Sequence, residues 1–213
     1  MMYVASGAGV GLCGLFMSKV LGCRSTLITD LSEAIELLDK NIQHNIPSHP
    51  VRYGEEVTGN ESGVCPVVAA QVLSWGNMED QESALRAVGW PPHGCDNEDD
   101  ELLIVAADCV YWECLYDAFF RTLQFFTSQG RRVRVLYAHV KRWKKENKFF
   151  RLCQKHLDVE VIFEKVEMVP DPISGQDNDG DEFTDEGNSQ VNSNDHIRMR
   201  RQITRVYSMR AKK

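Results

Sequence analysis

The sequence has no C-x-x-C pair and no two histidines four residues apart. Its seven cysteines are odd in number and scattered along the chain, so neither a disulfide framework nor a zinc site is indicated. We therefore expect no metal and a reducing compartment, the cytoplasm, with the nucleus as a second location.

The sequence also lacks a long apolar run and an excess of basic residues. No stretch reaches the roughly 18 to 20 apolar residues that span a bilayer, and the uncharged residues 1–18 have no basic segment before them, unlike a signal peptide. The 31 acidic and 24 basic residues give a net charge of −7. Neither a membrane nor a nucleic acid is expected as partner, and we expect a monomer.

Apolar runs of strand length alternate with helical patterns, which is typical of an α/β fold with a mostly parallel sheet. The first helix is marked by Leu12, Leu15, Phe16 and Val20, and the second by Leu31, Ile35, Leu38 and Ile42. Further helices are expected around Leu115 to Phe126 and over Glu146–Leu157. The expected strands are Met2–Ser6, Ser25–Thr29, Val67–Leu73, Leu102–Ala107, residues 133–137, Val159–Val166 and a last strand over residues 202–209.

The composition changes sharply near Pro170. Residues 171–195 carry eight acids and no base, and they are otherwise rich in Asn, Ser and Gly, so they bury too little apolar surface to order themselves. We expect a single domain over residues 1–213 with a disordered acidic insertion at residues 170–195. Residues 46–66 are interpreted as an irregular connection.

A cluster of glycines, Gly7, Gly9, Gly11 and Gly14, lies between the first strand and the first helix. Such a turn lets backbone amides approach a ligand at the positive end of a helix. The spacing fits both the dinucleotide fingerprint and the glycine pattern of S-adenosylmethionine sites. Asp30 ends the second strand, where its carboxylate suits ribose hydroxyls; the alternative is a capping box, Asp30-x-x-Glu33, for the second helix.

Two more short motifs end the third and fourth strands, LSWG at residues 73–76 and ADCVYW at residues 107–112. Both fall at the carboxyl edge of the expected sheet, where open α/β folds bind ligands. Trp75 and Trp112 are therefore candidates for contact with a ligand. For each tryptophan the alternative is packing in the core.

Taken together, ASGAGVGLCG, TDL, LSWG and ADCVYW, followed by the basic segment RWKKENKFF at residues 142–150, resemble methyltransferase family 16. The similarity covers residues 4–166 and the last strand, and is greatest to the protein-lysine methyltransferases of that family. It implies a Rossmann-like class I methyltransferase, a three-layer sandwich whose seven-stranded sheet ends in an antiparallel strand. It also implies S-adenosyl-L-methionine as cofactor and a protein bearing a lysine as the partner that receives the methyl group.

The resemblance further assigns roles to individual residues. Gly7, Gly9, Gly11, Asp30, Trp75 and Asp108 would bind the cofactor, and Asp108, Tyr111 and Trp112 would be the catalytic residues at the mouth of the lysine channel. The basic run over residues 141–148 is interpreted as a solvated helix start, with docking of an acidic partner as the alternative.

Two departures from the family pattern leave alternatives open. Ala5 stands where the family has a glutamate that helps to organise the methionine end of the cofactor, and the chain begins inside its first strand. We expect either a truncated enzyme or a weak or inactive relative that acts through protein binding. A nicotinamide-dependent oxidoreductase is disfavoured, because no Tyr-x-x-x-Lys pair or hydride-transfer histidine is evident.

Overall fold

The computed structural model describes residues 1–21, 23, 25–46, 67–90, 101–170 and 199–212. Its strands are β1 (Met2–Ser6), β2 (Ser25–Asp30), β3 (Val67–Val72), β4 (Leu102–Ala107), β5 (Val133–Lys141), β6 (Leu157–Pro170) and β7 (Met199–Ala211). They form one sheet in the order β3-β2-β1-β4-β5-β7-β6. The first five strands are parallel, and β7 runs antiparallel between β5 and β6. The expected fold class is confirmed.

Five helices cover the two faces of this sheet: α1 (Leu12–Leu21), α2 (Ser32–Asn45), α3 (Met78–Val88), α4 (Tyr116–Ser128) and α5 (Asn147–His156). Short 3₁₀ turns at Glu113–Leu115 and Lys144–Glu146 lead into α4 and α5. No helix among the described residues has both the length and the apolar character that a bilayer crossing needs.

The core has two layers because alternate residues of each strand face opposite sides of the sheet. Along β1, Met2 and Val4 pack in a large cluster with α3, α4 and α5, whereas Tyr3 and Ala5 pack in a smaller cluster with α1 and α2. Each fully buried large apolar side chain stabilises the fold by about 1.5 to 3 kcal/mol. The parallel strands are thus buried on both faces, as their continuous apolar runs predict.

The prediction that the apolar residues of α1 form its buried face is wrong. Only Leu15 of that face is buried, whereas Leu12, Phe16 and Val20 are exposed. The helix faces the sheet through Gly14 instead, where an added Cβ would lie 2.5 Å from a side chain of β2. Because Gly14 has no side chain, this side of the helix can approach the sheet closely. Leu12, Phe16 and Val20 then face away from the sheet.

Helix α3 was not expected from the sequence. Its N-cap residue Asn77 accepts hydrogen bonds from the backbone N–H groups of Glu79 and Asp80, and Gly89 ends the helix with φ of 74°. Both are ordinary helix-end signals that the sequence contains. The other elements begin and end within a few residues of expectation.

The β6–β7 pair is longer than expected and extends beyond the end of β5. Lys141, the last residue of β5, pairs with Ile203, and the ribbon continues on from there to the pair Pro170 and Met199. Apart from Pro170 and Ile46, the expected acidic insertion and the irregular connection lie outside the described residues. The single-domain organisation stays a prediction.

Candidate active site

The loop from β1 to α1 is a glycine turn in left-handed conformations. Gly7, Gly9 and Gly11 have φ of 63°, 57° and 84°. The backbone N–H of Gly9 donates to Oδ2 of Asp30 at 2.7 Å, so the end of β2 holds the turn. An added Cβ at Gly9 would meet no atom of the described residues within 4 Å, so these residues leave the backbone open to a ligand on that side.

The capping alternative for Asp30 is wrong. The N-cap residue of α2 is Leu31, and in the described part of the chain no side-chain hydrogen bond caps the start of this helix. The two carboxylate oxygens of Asp30 instead accept the N–H groups of Gly9 and Leu31, at 2.7 and 2.8 Å. Each oxygen retains a second lone pair for a ligand hydroxyl.

Trp75 lies against the glycine turn at the end of β3. Its indole N–H donates to Oγ of Ser6 at 3.0 Å, and an added Cβ at Gly7 would lie 2.8 Å from the ring. The ring also packs on Phe119, with centroids 4.6 Å apart. Trp75 is therefore half-buried and joined to the core, while it forms part of the candidate site.

Cys109 connects the turn to the loop after β4. Its Sγ would lie 3.0 Å from a Cβ added at Gly7. Burial raises the pKa of the thiol to about 12, so the side chain stays a neutral packing group at physiological pH. The structure therefore brings together the glycine turn, Asp30, Trp75 and the start of the Asp108 loop.

Asp108 begins this loop in an unusual conformation. Its φ of 56° is the only positive value at a non-glycine residue in the described ranges. Arg142 donates to both of its carboxylate oxygens, at 2.7 and 2.5 Å, and this carboxylate raises the pKa of the guanidinium further. The interpretation of residues 141–148 as a merely solvated helix start is therefore wrong at Arg142.

Tyr111 and Trp112 lie further out on the same loop. They are 49% and 63% exposed, and their rings meet edge to face with centroids 6.4 Å apart. This exposure excludes the packing alternative for Trp112. The two exposed rings lie beside the carboxyl edge of the sheet. Exposed aromatic faces of this kind are suited to bind an apolar or cationic group.

A buried polar network lies behind Asp108, and the sequence analysis missed it. Nε2 of His139 lies 3.0 Å from Oε2 of Glu146, and both side chains are 1% exposed. The phenol of Tyr137 is 3.3 Å from Nδ1 of His139 and accepts the N–H of Val110 at 3.0 Å. Burial raises the pKa of Tyr137 well above its ordinary value, so its hydroxyl stays protonated.

The comparisons with known proteins agree with the sequence resemblance. A family model described as lysine methyltransferase matches residues 3–156. Protein N-lysine methyltransferase METTL21A of Danio rerio is 29% identical over 156 residues, 73% of this chain and 57% of the relative. METTL21A of Mus musculus is 26% identical over 160 residues, 75% of this chain and 58% of the relative. The chain thus spans less than three fifths of the length of these curated relatives.

Solved structures of methyltransferases are also similar to this chain. An S-adenosylmethionine-dependent methyltransferase from Anabaena variabilis has a TM-score of 0.49 at 8% identity, covering 100% of this chain and 77% of that one. A precorrin-6y C5,15-methyltransferase from Geobacter metallireducens has a TM-score of 0.47 at 6% identity, covering 99% of this chain and 80% of that one.

Proposed function

Because the chain belongs to the lysine methyltransferase family, we propose that it transfers a methyl group from S-adenosylmethionine to a lysine side chain of another protein. The observation that carries the proposal is the meeting of four family motifs at one sheet edge. The Gly7 to Gly11 turn contacts Asp30, Trp75 and the loop that begins at Asp108. Open α/β sheets bind their ligands at this edge.

The residues present fit the cofactor. The turn at Gly9 leaves its backbone accessible, and Asp30 retains lone pairs for two ribose hydroxyls. Trp75, half-buried beside Gly7, provides an apolar surface for the adenine. The cofactor supplies a methyl group carried on a positively charged sulfur.

The acceptor would be held by the loop after β4. A free lysine has a pKa near 10.4 and must lose its proton before it attacks, so its amine needs surroundings poorer in water than bulk solvent. Tyr111 and Trp112 present aromatic faces that attract an ammonium group and shield the neutral amine after deprotonation. We further propose a monomer in the cytoplasm, whose partner is the acceptor protein.

Binding and transfer test this function separately. Isothermal titration calorimetry measures S-adenosylmethionine binding, and transfer of a tritiated methyl group to a total protein extract measures activity. A matched extract with acetylated lysines is the control for the acceptor. We expect label on methyl-lysine in acid hydrolysates of the first extract only. Absence of cofactor binding, or label on other residues, would contradict the proposal.

A variant pair locates the activity. Asp108→Asn removes the carboxylate that binds Arg142 and is expected to lower the transfer rate more than tenfold, with cofactor affinity changed less. Asp117→Asn is the control, because Asp117 forms an exposed pair with Arg121 on α4 at 2.7 Å. Equal rates for Asp108→Asn and the parent would remove Asp108 from the site.

Ala5 favours a second candidate, a weak or inactive relative that acts through protein binding. The side chain of Ala5 is 1% exposed and packs in the cluster beneath α1. At this position the chain has a methyl group where the family pattern has the carboxylate of a glutamate. Weak S-adenosylmethionine binding without any transfer would support this candidate.

A further inference from the structure

Asp108 holds a left-handed backbone conformation, which is uncommon for residues other than glycine, although aspartate adopts it more often than most. Its φ is 56°, a region that disfavours residues with a Cβ unless the surroundings stabilise it. The N–H of Asp108 donates to the carbonyl of Ala138 at 2.8 Å, but this single bond leaves the side chain free to rotate. Another contact has to hold the carboxylate.

That contact is Arg142. Its Nη1 and Nη2 donate to Oδ1 and Oδ2 of Asp108 at 2.7 and 2.5 Å. The planar fork of a guanidinium fixes the position and the plane of a carboxylate at once. Both side chains are 38% exposed, so the pair lies at the rim of the site.

Arg142 is itself fixed from the core side. Its backbone N–H donates to Oε2 of Glu146 at 3.0 Å, and the same oxygen lies 3.0 Å from Nε2 of His139. The other oxygen, Oε1, is buried and has no hydrogen-bond partner among the residues that the structure describes. Burial of a carboxylate is costly unless the group is paired and hydrogen-bonded, and Oε2 of Glu146 has two such partners, His139 and the backbone of Arg142.

The same network reaches the loop at a second point. Tyr137 accepts the N–H of Val110 at 3.0 Å and lies 3.3 Å from His139. The loop that leads to Tyr111 and Trp112 is therefore held both at Asp108 and at Val110. Both attachments depend on residues of β5 and the turn after it.

We propose that Arg142, supported by Glu146 and His139, is a positioning residue that sets the loop carrying Tyr111 and Trp112 over the methyl acceptor. The proposal rests on the proposed function. Because both carboxylate oxygens of Asp108 bind Arg142, Asp108 acts as the link between Arg142 and the loop.

The test compares Arg142→Gln and Arg142→Lys with Arg134→Gln. Arg134 lies at the other end of β5 and pairs with Glu101 at 3.1 Å, so its variant loses an ion pair far from the site. We expect Arg142→Gln to lower the rate of methyl transfer to the protein extract at least tenfold, with S-adenosylhomocysteine affinity within twofold of the parent. Arg142→Lys keeps the charge and should recover part of the rate, and Arg134→Gln should keep all of it.

Hydrogen exchange provides a readout that needs no activity. Amides of residues 108–112 should exchange at least fivefold faster in Arg142→Gln and at the parental rate in Arg134→Gln. Unchanged exchange in Arg142→Gln would overturn the proposal, as would faster exchange with an unchanged transfer rate. If the parent itself transfers no methyl group, the proposed function fails, and exchange alone then decides whether Arg142 positions the loop.

Discussion

The two halves of the candidate site differ in the groups that form them, backbone in one half and side chains in the other. The cofactor half, after β1 to β3, is formed mainly by backbone: three glycines with positive φ and a carboxylate that accepts two backbone N–H groups. The acceptor half, after β4 and β5, is formed by side chains, with Asp108 bound to Arg142 and a buried His139–Glu146 pair behind them.

This difference separates what each half controls. A backbone turn has a fixed shape and is sensitive to any added side chain, so changes there affect folding and cofactor affinity first. A network of charged side chains responds to the loss of one partner, so, under the proposed function, changes there should affect the placement of the acceptor. The predictions below test that separation.

The largest effect is expected at Gly7. In Gly7→Ala the new Cβ would lie 2.8 Å from the Trp75 ring and 3.0 Å from Sγ of Cys109, so the free energy of unfolding should fall by about 2 to 4 kcal/mol. Gly9→Ala is the matched control, because Gly9 has a similar φ and open space around it. It should lose only the cost of a Cβ at a left-handed φ, about 1 kcal/mol. Chemical denaturation measures both, and equal losses would contradict the packing argument.

Asp30→Ala should act on cofactor affinity. Loss of hydrogen bonds from a charged acceptor should weaken S-adenosylmethionine binding by roughly 1 to 3 kcal/mol, as measured by calorimetry. Glu33→Ala is the control, since the exposed carboxylate of Glu33 accepts a hydrogen bond from the neighbouring Ser32 at 3.0 Å. A variant at Asp30 that loses stability but keeps its affinity would assign this residue to the fold alone.

Trp112→Ala tests the acceptor half. Removal of its exposed ring should slow methyl transfer by a factor that corresponds to about 0.5 to 1 kcal/mol, with cofactor affinity unchanged. Trp143→Ala is the control, because Trp143 precedes the next 3₁₀ turn and its face is occupied by Nζ of Lys145, 5.7 Å from the ring centroid. Trp112→Phe should keep most of the rate. Equal losses at the two tryptophans would show that exposure alone matters.

The cofactor half was predictable from the sequence, whereas much of the acceptor half was not. Glycine spacing and a strand-terminal acid are local patterns, and Gly7, Gly9 and Asp30 meet as expected. Asp108 was identified by its motif, but Arg142 lies 34 positions away along the chain. Nothing local distinguishes an arginine that binds a carboxylate from one in a solvated run.

The apolar face of α1 shows a second limit of sequence patterns. Helical spacing gives the direction of a stripe, but which stripe faces the sheet depends on how closely the helix can approach. Gly14 faces β2, and this close contact outweighs the apolar character of Leu12, Phe16 and Val20, which remain exposed. Hydrophobic periodicity alone does not include this steric preference.

The smallest effect is expected from the acidic segment. Residues 171–195 carry eight acids. In the sequence they connect β6 to β7, whose paired ends Pro170 and Met199 extend beyond β5 at the carboxyl edge of the sheet. A polyanion attached there would attract a basic, lysine-bearing protein surface over a screening length of roughly 8 to 10 Å.

With all eight acids changed to Asn or Gln, we expect the association rate with a basic acceptor protein to fall about twofold to fivefold at low salt. The two rates should converge at high salt, as stopped-flow fluorescence can measure, while cofactor affinity stays the same. An identical salt profile for the parent and the neutralised variant would assign the segment no part in acceptor capture.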